Sequence, residues 1–186
     1  MKKVSLSELA SVIAGQSPDG KSYNKDGNGI EFHQGKKSFG VIFLNHSGIW
    51  TTEPKKVAEP GDIVMSVRAP VGNVNFVTSK ISIGRGLAAI RPNKNIDRNF
   101  LFYFLRFMES RINGHDGATF NSINKTEIEA IKIPISEIDH QRLIVSKLDQ
   151  AFEAIDQAIG NSEKRIENLK ELKMSISEKA FKGELI

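Results

Sequence analysis

The sequence of 186 residues contains no cysteine, which excludes disulfide bonds and cysteine-ligated metal sites. It also has no apolar run of roughly 18 residues, so we expect no transmembrane helix. The first six residues, Met1–Leu6, lack the apolar core of a signal peptide. These absences predict a cytoplasmic protein that has no membrane partner.

Motifs that carry catalysis are also scarce. The four histidines, at positions 33, 46, 115 and 140, lack the spacing of a zinc site or a metallo-hydrolase. No G-x-S-x-G nucleophile elbow occurs, and Gly84–Gly86 lacks the further glycines of a dinucleotide-binding loop. We therefore predict a non-catalytic chain without a cofactor or a metal. A nuclease or methyltransferase whose site is scattered along the chain is the alternative.

The longest regular pattern is in the C-terminal part, where residues 136–181 contain no proline and a single glycine, Gly160. Apolar residues recur there every seven residues, in one row from Ile138 to Ala180 and a second row from Gln141 to Ile176. Ten of the thirteen positions in these rows are apolar, a heptad pattern that is typical of a coiled coil. The predicted dimer interface comprises Val145, Leu148, Phe152, Ile155, Ile159, Ile166, Leu169 and Ile176.

The two heptad rows have flaws that leave alternatives open. Lys173 lies in the first row, and Gln141 and Ser162 lie in the second, where polar residues cost stability but set register and orientation. Gly160 is the expected point of a kink, so two shorter helices are one alternative. A final helix that packs on its own domain is another, although about six heptads exceed the length of an ordinary globular helix.

The net charge of +4 is distributed unevenly. Residues 1–135 carry 18 basic and 12 acidic side chains, a net charge of +6, whereas residues 136–186 carry 8 and 10, a net charge of −2. A basic domain followed by a slightly acidic helix favours a polyanion-binding domain attached to a protein-binding helix.

Residues 1–135 predict a small domain that mixes strands and helices. Ser5 and Glu8 form a capping box for a short helix, and Asp97 and Asn124 are the expected N-caps of two later helices. Short apolar runs predict strands near residues 30–32, 63–67, 73–77, 81–83 and 87–90. The predicted fold class is α+β, with a small α/β domain at residues 1–135 and a long coiled-coil helix at residues 136–186.

Cationic side chains recur in segments that we predict to be turns and loops. Lysines and arginines in loops suit phosphates, and arginine, asparagine and glutamine side chains suit base edges, which together are what direct readout of DNA requires. A solvated surface is the alternative for each residue taken singly. The candidate DNA-binding residues are Lys21, Tyr23, Lys36, Lys37, Arg68, Arg85, Thr119 and Asn121.

Several stretches, taken together and in order, resemble the specificity subunit of type I restriction–modification systems. The two central stretches, Gly61–Gly72 and Ile83–Pro92, are the most specific. The chain departs from the family pattern at Pro134–Glu137, where the family has a proline-rich segment, and at His140, where it has glutamate. The remaining matching stretches are Gly15–Pro18, Gln34–Gly35, Gly117–Phe120, Ile131–Pro134, Gln141–Val145 and Lys182–Leu185.

The resemblance implies a function for each part of the chain. The α/β domain would be a target-recognition domain that reads one part of a bipartite DNA sequence, and the helix would be a spacer. Modification subunits, which carry S-adenosylmethionine and the methyl-transfer chemistry, would dock on the chain, and a restriction subunit would join them for cleavage.

Length is the main departure from the family, because the family's full subunit holds two target-recognition domains and two long helices. This chain resembles a half-subunit, which we expect to form a homodimer with antiparallel helices and to read a gapped palindrome. Parallel helices are the alternative arrangement. A vestigial or regulatory coiled-coil half-subunit that binds only proteins is the alternative function.

Overall fold

The computed structural model describes residues 2–112 and 122–184 of the chain. Two compact units divide it: Met1–Arg142, which we call the head unit, and Leu143–Ile186, which we call the helix unit. The helices are α1 (Leu6–Leu9), α2 (Arg98–Ile112), α3 (Lys125–Glu129) and α4 (Ile138–Phe181). The strands are β1 (Lys2–Ser5), β2 (Ala10–Ala14), β3 (Tyr23–Asn24), β4 (Ile30–His33), β5 (Trp50–Thr51), β6 (Val57–Ala58), β7 (Ile63–Ser66), β8 (Val74–Phe76), β9 (Ile81–Ile83), β10 (Leu87–Pro92) and β11 (Lys132–Ile135).

The strands form three sheets. Strands β2, β10, β7 and β8 lie side by side in that order, all antiparallel. The second sheet has the order β3, β5, β4, β9 and β6, and its β4–β9 pair is parallel. Strand β1 pairs with β11 over its whole length in a separate antiparallel ribbon. The α+β fold class predicted from the sequence is therefore confirmed.

The two larger sheets share one apolar core. Val64 and Ala89 come from the first sheet and Ala58, Ile81 and Ile83 from the second, and all five are buried in one cluster. Strand β7 is buried along its whole length, which explains why its sequence is a continuous apolar run rather than an alternating one. On another side of the head unit, Phe102 of α2 stacks on Phe76 of β8 with ring centroids 4.3 Å apart.

The predicted helix starts in the head unit are confirmed. The Asp97 carboxylate accepts hydrogen bonds from the N–H groups of Asn99 and Phe100 at the start of α2. Asn124 and Glu127 form a capping box at the start of α3, as Ser5 and Glu8 do at α1. In each case a side-chain oxygen satisfies an N–H group that has no partner within its helix.

Helix α4 is continuous through Gly160 and spans 44 residues, or roughly 66 Å at about 1.5 Å per residue. The alternative of two shorter helices is therefore not found. Six of the predicted interface residues are between 45% and 57% exposed: Phe152, Ile155, Ile159, Ile166, Leu169 and Ile176. Val145 is buried and Leu148 is half-buried in the single chain, so the open part of the apolar seam begins at Phe152.

No helix in the described parts of the chain is long and apolar enough to cross a membrane.

Candidate nucleic-acid interface

Four turns that are distant in sequence meet through backbone hydrogen bonds. The N–H of Gln16 donates to the carbonyl of Ile83 at 2.9 Å, and the N–H of Gly86 donates to the carbonyl of Gln34 at 3.1 Å. The N–H of Val67 in turn donates to the carbonyl of Gly86 at 2.9 Å. We call this assembly the turn cluster, and its segments are residues 15–18, 33–37, 67–68 and 84–86.

Glycines in the turn cluster permit close contact between main chains. A Cβ on Gly15 would lie 2.2 Å from the carbonyl oxygen of Gly84, and one on Gly86 would lie 2.5 Å from the carbonyl oxygen of Gln34. Real Cβ atoms do not approach backbone oxygens so closely, and only glycine has no Cβ to clash. Glycine at positions 15 and 86 therefore allows the turns to pack this closely.

Arg85 and Arg68 are two predicted residues that the turn cluster brings together. The backbone N–H of Arg85 donates to the Ser17 hydroxyl at 3.4 Å, and that hydroxyl donates to the side-chain oxygen of Gln34 at 3.1 Å. Arg68 lies beside Ser122 in an isolated antiparallel bridge. Both arginines are exposed, and neither has an ion pair within residues 2–112 or 122–184. Their backbones are thus fixed while their charged groups face solvent.

Tyr23 and Lys21 adjoin the turn cluster through Pro18. The Tyr23 hydroxyl donates to the Pro18 carbonyl at 3.2 Å, and the Tyr23 ring stacks on Phe32 with centroids 4.9 Å apart. Lys21 is exposed in a 3-10 helix whose first N–H groups are capped by Asp19. The hydroxyl and one face of the Tyr23 ring are therefore engaged within the head unit, while the residue keeps 36% of its surface exposed.

Lys36 and Lys37 are exposed in a 3-10 helix that directly follows Gln34 and Gly35. A buried histidine holds this helix, because the Nδ1 atom of His33 lies 2.7 Å from the Ser38 hydroxyl oxygen. Neither the spacing nor the charge pattern of the sequence identified this support.

His33 belongs to a small polar network around Glu31. Its Nε2 atom lies 3.7 Å from the Glu31 carboxylate, which also accepts hydrogen bonds from the Ser47 N–H and from His46. Burial lowers the pKa of His33, and Glu31 opposes that shift only in part. Burial by itself raises the pKa of Glu31, but the Ser47 N–H, the charge of His33 and the His46 hydrogen bond together bring that pKa below its ordinary value. A neutral His33 and an ionised Glu31 are the forms that this network favours at neutral pH.

Thr119 and Asn121, the remaining predicted residues, lie outside the described residues. Ser17 and Ser122 lie in or beside the turn cluster and were not predicted, since isolated serines carry no charge or spacing signal. The described residues contain no group of three or more His, Cys, Asp or Glu side chains that could hold a metal ion.

Four of the stretches that carry the resemblance, Gly15–Pro18, Gln34–Gly35, Gly61–Gly72 and Ile83–Pro92, thus contribute to the turn cluster. Comparison with known proteins tests the resemblance itself. The family model described as the type I restriction modification DNA specificity domain matches residues 1–176. The chain belongs to this family. The expected resemblance is confirmed, and it extends across the head unit and most of α4.

Individual relatives of this specificity-domain chain are substantially similar. A putative type I restriction enzyme MjaX specificity subunit from Methanocaldococcus jannaschii is 41% identical over 176 residues, which cover 94% of this chain and 40% of the relative. The crystal structure of the HsdS subunit from Thermoanaerobacter tengcongensis has a TM-score of 0.79 and 38% identity, covering 98% of this chain and 45% of that one. A chain solved in work on complex assembly and conformational transition of the type I R-M system has a TM-score of 0.90 and 39% identity. The specificity-domain chain therefore spans less than half the length of these relatives.

Proposed function

We propose that this chain is the non-catalytic, sequence-specific DNA-recognition subunit of a type I restriction–modification complex. In this proposal it dimerises through α4, reads a bipartite palindromic site and docks the modification (methyltransferase) subunits, with a restriction subunit joining for cleavage. The observation that carries the proposal is the turn cluster, in which the family's motifs present exposed cations on a rigid backbone. Family membership supports the same conclusion.

The turn cluster offers both kinds of DNA contact. Lys36 and Lys37 are flexible point charges suited to phosphates, whereas Arg68 and Arg85 can each donate two hydrogen bonds to a guanine edge. Since the backbones of both arginines are fixed, binding has to order only their side chains and not the loops that carry them, which favours discrimination between bases.

The dimer proposal rests on the apolar seam of α4. The six seam residues are about half exposed in the single chain, so burying the rest of each against a partner helix would contribute about 1 kcal/mol per residue, roughly half of the value for full burial. A two-fold axis would bury twelve such side chains at once, and isologous pairing of this kind is the commonest arrangement of homodimers.

Lys173 favours antiparallel helices. In a parallel two-fold dimer each seam residue faces its own copy, so two Lys173 ammonium groups would meet within the apolar seam, which is costly. In an antiparallel dimer the first heptad row faces the second. The register in which Ile159 faces the partner's Ser162 also places Lys173 opposite the partner's Leu148 and Phe152 opposite the partner's Leu169.

Two identical head units related by a two-fold axis would present the same turn cluster to each half of a site. The DNA target in this proposal is therefore a gapped inverted repeat. Because antiparallel helices carry the two heads at opposite ends of the helix pair, the length of α4 would set the separation of the half-sites.

Orientation can be tested cleanly because the chain has no cysteine. Single variants Phe152→Cys and Leu169→Cys are mixed, exchanged and oxidised. Antiparallel helices predict crosslinks between the two variants and none within either, because identical cysteines would be about 25 Å apart along the axis at about 1.5 Å per residue. Crosslinks within each variant alone would instead establish parallel helices, and a monomer by sedimentation would refute the dimer.

DNA recognition is tested by selecting bound sequences from a random library with the chain assembled with its methyltransferase subunits. A gapped palindrome is the expected result, and an asymmetric motif would refute the symmetric dimer as the reader. Binding without sequence preference would favour the alternative in which the chain binds only proteins. Methyl transfer or nuclease activity by the purified chain alone, lost on point mutation, would contradict its non-catalytic role.

A further inference from the structure

A second exposed feature of the head unit lies next to the two lysines. Residues 38–45 form a tight hairpin, in which the Asn45 N–H donates to the Ser38 carbonyl at 2.8 Å and the Gly40 N–H donates to the Phe43 carbonyl at 3.1 Å. Phe39 and Leu44 form an antiparallel bridge at its base. The tip of this hairpin, residues 40–43, carries three consecutive apolar side chains.

Strand β8 holds the hairpin in place. The Phe76 N–H donates to the Ile42 carbonyl at 2.8 Å, and the Leu44 N–H donates to the Phe76 carbonyl at 3.3 Å. The Asn75 side chain bonds both polar backbone groups of Gly40, at 2.8 and 3.1 Å. The tip therefore has a defined conformation that does not depend on burial of its own side chains.

The side chains at the tip are nonetheless open to solvent. Val41 is 79% exposed and Phe43 is 53% exposed, while Ile42 lies at 36%. The bend of the hairpin falls at Val41 and Ile42, and tight turns favour glycine, proline, asparagine, aspartate and serine over apolar β-branched residues. Contiguous exposed apolar residues on a rigid support are typical of a binding surface rather than of a folding element.

The surroundings of the tip are basic. No Asp or Glu occurs between His33 and Thr52, Lys36 and Lys37 are exposed at the base of the hairpin, and His46 beyond it is exposed as well. The nearest carboxylate in sequence, that of Glu31, is engaged by the Ser47 N–H. The Arg98 guanidinium lies 5.8 Å from the centre of the Phe76 ring, against which Phe43 packs.

An apolar tip with exposed cations nearby matches the major groove of DNA. Phosphates flank that groove, and the thymine C5-methyl group is the apolar point among its base edges. A protein partner would have to combine an apolar socket with a rim of carboxylates, whereas any duplex that contains thymine offers both features.

We infer that Val41, supported by Phe43, makes an apolar contact with a thymine methyl group in the target DNA. The inference rests on the proposed DNA-recognition function and adds a specificity-determining element to the turn cluster. It assigns the hairpin tip a preference for thymine at one position of each half-site.

The test is a coupling measurement between protein and DNA. The wild-type chain, assembled with its methyltransferase subunits, first selects its site from a random library. Each thymine in one half-site is then replaced by deoxyuridine, which removes only the methyl group. Wild type is expected to lose about fourfold in affinity at one position, corresponding to about 0.8 kcal/mol for one buried methyl.

The Val41→Ser variant should bind the thymine site about fourfold more weakly and show no further loss with deoxyuridine at that position. Met174→Ser changes another largely exposed apolar residue, which lies outside the heptad rows; it is the matched control and should keep the deoxyuridine effect. Because Val41 contacts little of the head unit, its replacement should leave thermal unfolding unchanged.

Several results would overturn the inference. One is a Val41→Ser variant with the same deoxyuridine profile as wild type. Another is a selected site at which no thymine methyl affects affinity. A third is weaker assembly of Val41→Ser with the methyltransferase subunits in the absence of DNA, which would assign the tip to a protein partner. If the wild-type complex selected no sequence at all, the proposed function itself would fail, which is a different result from these three.

Discussion

The head unit and the helix unit differ in how far their apolar side chains are buried. In the head unit, two sheets bury each other's aliphatic side chains, and strands as long as β10 have four successive residues out of solvent. In the helix unit, the apolar residues of α4 from Phe152 onward remain about half exposed. A single helix presents its seam to one side and has no second layer to cover it. The comparison shows that apolar side chains of the head unit are covered within the single chain, whereas those of α4 from Phe152 onward stay about half exposed, which is why we propose a partner helix for them.

Breaking the seam should produce the largest effect. Ile155→Asp combined with Ile166→Asp places four carboxylates in the proposed dimer interface and removes four apolar side chains, each of which would contribute about 1 kcal/mol on burial of its exposed half. The dimer dissociation constant should rise by at least about 1,000-fold in sedimentation equilibrium.

The matched control for the seam is Gln150→Asp combined with Gln157→Asp, which adds the same charge on the outer face of α4. This control should remain dimeric. If it dissociated as readily as the seam variant, general charge repulsion rather than seam packing would account for the loss.

The next largest effect concerns the head unit alone. Gly15→Ala places a Cβ 2.2 Å from one backbone oxygen and 2.6 Å from another, so the turn cluster must open at a cost of about 1–3 kcal/mol. Fluorescence of Trp50, the single tryptophan and part of β5, should report a lower unfolding midpoint. Gly20→Ala has open space around its Cβ and should unfold like wild type. Equal stability of both variants would contradict the tight contact.

A smaller effect should separate the roles of charges within the turn cluster. Arg85→Ala is expected to cost about 1–3 kcal/mol at one base position and to relax the selected motif there. Lys36→Ala should weaken binding to all sequences alike and reduce the slope of log affinity against log salt by about 0.9. The opposite assignment, with Lys36 changing the motif and Arg85 only the salt slope, would mean that their roles are reversed.

The smallest effect is a pH dependence confined to the head unit. The pKa of buried His33 lies below its ordinary value of 6.5, so the unfolded chain binds the proton more readily. The contribution of neutral His33 to the free energy of unfolding is therefore complete above pH 6.5, and it is lost as the pH falls through the lowered pKa of His33. Glu31, whose pKa lies below 4.5, adds a further loss in stronger acid.

Urea unfolding followed by Trp50 fluorescence measures this pH dependence. The free energy of unfolding of the wild type should decline as the pH falls below 6.5, and the His33→Gln variant should show a flatter profile over the same range. A wild-type profile that is level across this range would refute the assignment to His33.

Much of the secondary structure could be predicted from local signals. The limits of α2 follow from Asp97 and from apolar residues at three- and four-residue spacings, and β7 follows from its apolar run between turn residues. By contrast, β1 was not predicted, because Lys2–Ser5 is polar and its partner β11 lies about 130 residues later in the chain. The strand predicted near residues 30–32 is β4, whereas β3 and β5, which have two residues each and lie beside it in the second sheet, were not predicted.

The sequence by itself determined the long helix and its seam, since heptad spacing is a local property that survives in any context. Only the tertiary structure decided that Gln16, Gln34, Val67 and Arg85 share one surface. Their turns are joined by hydrogen bonds of the main chain. Any residue type can form such bonds, so they cannot be recognised in the sequence, except that glycine is required where a Cβ would clash. Likewise, the apolar hairpin tip can be recognised as a binding surface only from its exposure and its basic neighbours, and both depend on how distant strands pair.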